Sequence, residues 1–165
     1  MATARRGTLG GMETVGRILG LDVGEARTGV ALSDPMQVLA SPSGTLAVSG
    51  DALADAQAVA ACAATHEVVG IVVGLPLNQH GEPGPQAQKV LAFVEALRAA
   101  TGVPLETIDE RFTTTMAQRS LQAGGPRGSS KRARQRKAQV DQLAAAQILQ
   151  TWLDRRAAAQ RRAGE

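Results

Sequence analysis

The run Glu67-Val68-Val69-Gly70-Ile71-Val72-Val73-Gly74 constrains the fold more than any other stretch of the chain. Its apolar residues are continuous rather than alternating, which is how a strand covered on both faces reads. Such strands sit in sheets with parallel neighbours, and parallel neighbours need crossover helices. Helical patterns stand on both sides of it. Upstream, Asp51 opens an alanine-rich stretch reaching Glu67, with Leu53, Ala56, Ala60 and Ala63/Ala64 at helical spacing. Downstream, the turn-rich "LPLNQHGEPG" leads into a helix from Pro85 to Ala100 with Val90, Leu91, Val94 and Leu97 on one stripe.

The stretch "RILGLDVGEARTGVALSD", Arg17 to Asp34, holds two short apolar runs around a glycine-containing turn and predicts a hairpin. "MQVLASPSGTLAV" predicts a third, edge strand interrupted near Pro42. Beyond the second helix, "GVPLETIDERF" predicts a fifth strand, "TTMAQRSLQAG" a short helical piece, and Ala138 to Arg156 a last helix. Three strands followed by alternating helices and strands make an α/β fold, a mixed sheet with helices packed on it.

At 165 residues the chain is sized for one domain. The expected organisation is a disordered extension over 1–16, a domain over 17–157 with a basic loop at 124–137, and a basic tail over 158–165. Aromatics make up only 2% of the chain, so the core must be built from Ala, Val, Leu and Ile. The single Cys62 can form no internal disulfide and reads as a small core residue. The first sixteen residues contain no continuous apolar segment, which predicts neither signal peptide nor membrane span and a cytoplasmic location.

The formal net charge is only +3, yet "PRGSSKRARQRK" (Pro126 to Lys137) holds six basic residues and no acid. Such asymmetry points to a polyanionic partner, and a solvated loop that orders on nucleic acid satisfies the same pattern. Scarce aromatics argue against base stacking as the source of affinity. Recognition through backbone and shape follows, so structured RNA or branched DNA is the expected partner.

Three acids stand where a surface charge is not expected. Asp22 closes the first strand, Glu110 follows the fifth, and Asp141 falls inside the apolar stripe of the last helix. Each has a plainer alternative: Asp22 as a turn cap, Glu110 as a partner of Arg111, Asp141 as an early-turn acid favoured by the helix dipole. Taken together they suggest more, because clustered carboxylates repel one another unless a cation sits between them. Divalent Mg or Mn, which prefers oxygen ligands, serves that purpose. His66 and His80 show no ligand spacing.

"LGLDVGEARTGVALSD", "VVGLPLNQHG", "IDERFTT" and "KAQVDQLAAAQIL", in this order, resemble the four signature blocks of the YqgF/RuvX family. Its members are described as Holliday-junction-resolvase-like proteins and as nucleases that process precursor 16S ribosomal RNA. The resemblance covers Arg17 to Trp152 and implies an RNase H-like fold, with a five-stranded mixed sheet in the order 3-2-1-4-5 flanked by helices. It also implies an acidic triad, Asp22, Glu110 and Asp141, that binds one or two divalent ions (Mg2+ or Mn2+) and performs phosphodiester hydrolysis, with the Gly74 to Asn78 loop bordering it. Arg27, Asn78, Arg111, Lys131, Arg132, Arg134, Arg136 and Lys137 are the expected nucleic-acid contacts, and Gly24 and Gly29 would leave the backbone open to a phosphate. Family members often carry Lys where this chain has Ala26, and the N-terminal extension and the Arg-rich tail have no counterpart in the blocks. A junction resolvase would need two sites and hence a homodimer. A nucleotide-clamping domain of the actin type would need a second domain that this length does not supply. A non-catalytic nucleic-acid binder would bind without regard to divalent ions.

Overall fold

The computed structural model describes residues 8, 9, 11–112 and 131–164. A two-stranded ribbon, β1 (Thr8–Leu9) and β2 (Met12–Glu13), precedes the sheet. The sheet strands are β3 (Ile18–Val23), β4 (Arg27–Ser33), β5 (Ala40–Ala47), β6 (Gly70–Leu75) and β7 (Leu105–Asp109). Helices α1 (Ala52–Thr65) and α2 (Pro85–Ala100) flank β6 in sequence, a 3-10 turn spans Glu110–Phe112, and α3 runs over Lys131–Ala163. No helix among the described residues is long and apolar enough to cross a membrane.

The sheet order is β5-β4-β3-β6-β7, which is 3-2-1-4-5 when strands are counted from Ile18. β3 pairs antiparallel with β4 and parallel with β6, and β6 pairs parallel with β7. The uninterrupted apolar run is therefore the strand between two parallel neighbours, buried on both faces. β5 is one of the two edge strands, where Pro42 is tolerated beside the register shift at Val30/Ala31 of β4.

Alternation along β3 divides the core. Leu19 and Leu21 join Ile71, Val73 and Val30 against Val59 and Ala63 of α1 and Val90, Val94 and Leu97 of α2. On the other face Ile18, Ala31, Val72 and Ile108 pack against Ala145, Ile148, Leu149 and Trp152 of α3. At Gly20 on this face an added Cβ would lie 2.6 Å from the Cβ of Leu149, so the bare strand lets α3 come close.

Helix ends follow local chemistry. Asp51 caps α1 by accepting the Leu53 N–H at 3.0 Å. Pro85 occupies the first turn of α2, where a missing N–H costs nothing. The buried stripes are shifted from expectation: Leu53 and Leu91 are exposed, and Val59 and Phe93 take core positions instead.

Three boundary expectations change. The segment 1–16 is not unstructured over its described part, because Met12 is fully buried in the α3-side core and Gly16 N–H donates to the Pro35 carbonyl at 2.8 Å. Arg156 ties it further, donating from Nη2 to the carbonyls of Met12 at 2.9 Å and Glu13 at 3.3 Å. The expected basic loop is helical over Lys131 to Lys137, and α3 continues through the expected tail to Ala163. Ala, Arg, Gln and Lys are strong helix formers, so nothing over Lys131 to Lys137 or over 158–163 breaks the helix, and Gly164 follows its end. The remainder of that loop, 124–130, and the short helical piece predicted before it lie outside the described residues.

Candidate active site

β3, β6 and β7 are mutually parallel, so their C-terminal ends lie together at one edge of the sheet. Asp22 is the penultimate residue of β3, 2% exposed, on the face that α3 covers. Its cross-strand partner on β4 is Gly29. On the β6 side Leu21 pairs with Val73, so Gly74 is the next residue in register beside Asp22. A glycine thus flanks this carboxylate on each neighbouring strand.

Each glycine makes room for one of the other acids. At Gly74 a Cβ would lie 2.6 Å from Glu110 Oε1. Glu110 follows the end of β7 and is 1% exposed. β7 is two strands from β3, roughly 9–10 Å at the usual strand spacing, so its carboxylate reaches toward Asp22 across β6 only because Gly74 carries no side chain. At Gly29 a Cβ would collide with the Asp141 carbonyl oxygen. The α3 backbone therefore rests directly on β4 beside Asp22, and Gly29 seats a helix rather than a phosphate.

The Asp141 side chain turns to Arg27, whose Nε lies 3.2 Å from Oδ2. The pair sits at the rim, with side-chain exposures of 22% for Arg27 and 28% for Asp141. Among the described residues no three His, Cys, Asp or Glu side chains are grouped closely enough to hold a metal ion as they stand. Asp22 and Glu110 are brought to one end of the sheet, and Asp141 is brought beside them in backbone but not in carboxylate. Asp22 and Glu110 both have interactions within the structure. Their oxygens are hard donors, the chemistry that suits Mg2+ or Mn2+.

Two expected nucleic-acid contacts have work inside the protein. Asn78 Oδ1 accepts the backbone N–H of His80 and of Glu82, both at 2.9 Å, and so closes the loop that follows β6. Arg111 grips Asp109 through Nη2 at 2.7 Å and Nε at 2.9 Å, and Nη1 donates to the Gln79 carbonyl at 3.3 Å. That hydrogen bond to Arg111 holds the Asp109 carboxyl below the usual carboxylate range, and Asp109 pushes the Arg111 guanidinium up. Gly81, at φ +77, passes close under the guanidinium. Arg111 is thus a strut joining the end of β7 to the loop beside Glu110.

The remaining expected contacts, Lys131, Arg132, Arg134, Arg136 and Lys137, lie on the exposed first turns of α3. Leu149 lies against Gly20 and Asp141 against Gly29, so α3 enters at the site end, and the residues before Asp141 lie beyond its seat on β4. Lys137 and Arg134 precede Asp141 by four and seven positions, on the stripe Asp141 shares with Ala145 and Ile148. Arg132 and Arg136 fall on the opposite side. The positioning role of Asp109 went unread in the sequence, although an acid two residues before an arginine at a strand end is a local signal. The pairing of Arg27 with Asp141 had none, because 114 positions separate them.

The class of fold is RNase H-like, a five-stranded mixed sheet with helices on both faces, one buried carboxylate on its central strand and another just past its parallel edge strand. Solved structures of Thermus thermophilus RuvC share it: one in complex with a Holliday junction substrate matches with TM-score 0.51 at 18% identity, covering 86% of this chain and 95% of that one. The family described as RuvX, Holliday junction resolvase, matches residues 16–155, and the chain belongs to it. A relative from Mycobacterium tuberculosis (strain ATCC 25618 / H37Rv), named "Putative pre-16S rRNA nuclease", is 46% identical over 147 residues, covering 87% of this chain and 82% of that protein. One of the same name from Anaeromyxobacter dehalogenans (strain 2CP-C) is 45% identical over 141 residues, covering 86% and 98%.

Proposed function

We propose that the chain is a metal-dependent endonuclease that hydrolyses phosphodiester bonds in precursor 16S ribosomal RNA, at its 5′ end, during ribosome biogenesis in the cytoplasm. The observation that carries the reading is the burial of Asp22, on central strand β3, and Glu110, just past edge strand β7, at one end of the sheet with Gly74 of β6 cleared between them. Two carboxylates taken out of water at one sheet end call for positive charge nearby. Family membership and relatives bearing a nuclease name supply the reaction class.

Asp22, Glu110 and Asp141 would hold the divalent ion, which polarises the phosphate and lowers the pKa of the attacking water. Asp22 is the rigid member, paired with Gly29 on one side and one residue beyond the Leu21–Val73 pair on the other. Asp109 and Arg111 hold the 78–83 loop against the Glu110 side. Arg134 and Lys137, on the α3 stripe that leads into the site, bind the scissile strand through its phosphates, contacts that position without reading sequence. Lys131, Arg132 and Arg136 add longer-range attraction for the polyanion.

A second reading, resolution of four-way DNA junctions by a homodimer, is favoured by the family's description. The two substrates are assayed side by side with Mg2+ or Mn2+, wild type against Asp22→Asn. Cleavage of the precursor RNA that disappears in the variant, with binding retained, supports the first reading. Cleavage of the junction alone supports the second. Binding of either without cleavage at any metal concentration leaves a non-catalytic binder.

A further inference from the structure

Arg27 and Gly29 stand two residues apart on β4 and face α3 together. The collision that any Cβ at Gly29 would make with Asp141 shows how tightly the α3 main chain is seated there. The Asp141 backbone is therefore fixed, and its carboxylate can change partner only by turning about its own side-chain torsions. Its present partner is Arg27, 3.2 Å away. Asp22 is the cross-strand partner of the same Gly29, so a second carboxylate neighbours the seat of Asp141.

We propose that Arg27 is the resident counter-cation of the carboxylate site. Its guanidinium holds Asp141 while no ion is bound, and a divalent ion displaces it from that carboxylate and leaves it to a substrate phosphate. The proposal rests on the metal reading given above. Both side chains are partly exposed, so the pair is of the weak, exchangeable kind. An ion of twice the charge, set among three carboxylates, outcompetes one guanidinium at the rim. Exchange of one cation for another keeps Asp141 compensated in both states. Arginine suits the second role because its planar fork presents several donors to a phosphate at fixed geometry.

The test is Mn2+ binding to the full chain without nucleic acid, followed by calorimetry and by the EPR signal of free Mn2+. Arg27→Gln removes the competitor, and Mn2+ binds about two- to fivefold more tightly than to wild type. Arg27→Lys keeps the charge and stays within about twofold of wild type. In an Asp141→Asn background, Arg27→Gln changes Mn2+ affinity no further. Unchanged or weaker Mn2+ binding in Arg27→Gln overturns the proposal. If Asp22→Asn has meanwhile lost Mn2+ binding, the metal reading stands without it. Mn2+ binding indifferent to Asp22→Asn overturns both. Thermal unfolding of the same samples shows that each variant is folded, and a gain in affinity cannot arise from a damaged fold.

Discussion

Gly74 stands where any β-carbon would lie 2.6 Å from Glu110 Oε1, and as close to Ile148 Cδ1 of α3. One missing side chain thus joins two requirements, the seating of the helix on the sheet and the reach of a carboxylate across β6. Gly74→Ala is expected to cost about 1–3 kcal/mol of stability, the usual penalty for overpacking. Cleavage falls further than that loss explains, because Glu110 is displaced. Urea unfolding and single-turnover cleavage on one preparation separate the effects, and cleavage unchanged in a destabilised protein would show that Glu110 need not reach over Gly74.

Arg111 and Asp109 give the loop beside the site an acid limit. The Asp109 carboxyl is lowered in the folded chain by its hydrogen bonds from Arg111. A lowered carboxyl stabilises the fold above its unfolded pKa, about 3.9, and loses that contribution as pH falls through the folded value. Asp109→Asn is therefore less stable than wild type at neutral pH, and the gap closes in the acid limb below about pH 4. Melting temperatures of both proteins across pH 2.5–8 check it; a gap that stays constant with pH would contradict the assignment.

Lys137 and Arg134 share the helix stripe that leads to Asp141, and each is expected to meet one phosphate. The double replacement by Ala should lower the slope of log affinity against log salt by about 1.4 for single-stranded and 1.8 for duplex substrate. Arg132→Ala/Arg136→Ala, on the far side of the helix, changes the slope less. Filter binding in Ca2+ over a salt series reads this directly, and equal slope changes for both pairs would mean that the helix makes no sided contact.

Met12 is fully buried beneath α3 although it belongs to a glycine- and threonine-rich segment. Met12→Ala is expected to cost about 2–5 kcal/mol, as for other large apolar side chains truncated in a core. Chemical denaturation measures it, and a loss under about 0.5 kcal/mol, the range of surface positions, would return the segment to the status of a loose extension.

The chain order of strands and helices was legible because hydrophobic period is local. The Val/Ile run from Val68 to Val73 announces a strand covered on both faces, and Asp51 and Pro85 mark where helices begin. Asp22 was legible as a break in an apolar run, whereas Glu110 was legible only as an acid after a strand and its burial was not. Met12 was not, since one apolar residue among glycines has no period. Nor were the ends of α3, because a helix former next to a helix continues it unless a breaker intervenes.

The sequence by itself determined which strands are two-sided, where α1 and α2 start, and which carboxylates lie near strand ends. The tertiary structure alone decided that Gly29 and Gly74 flank Asp22, that Asn78 and Arg111 brace a loop, and that Asp141 turns to Arg27. Those contacts join positions far apart in the chain, and their geometry follows from strand register and from how closely α3 approaches the sheet, which no local pattern encodes.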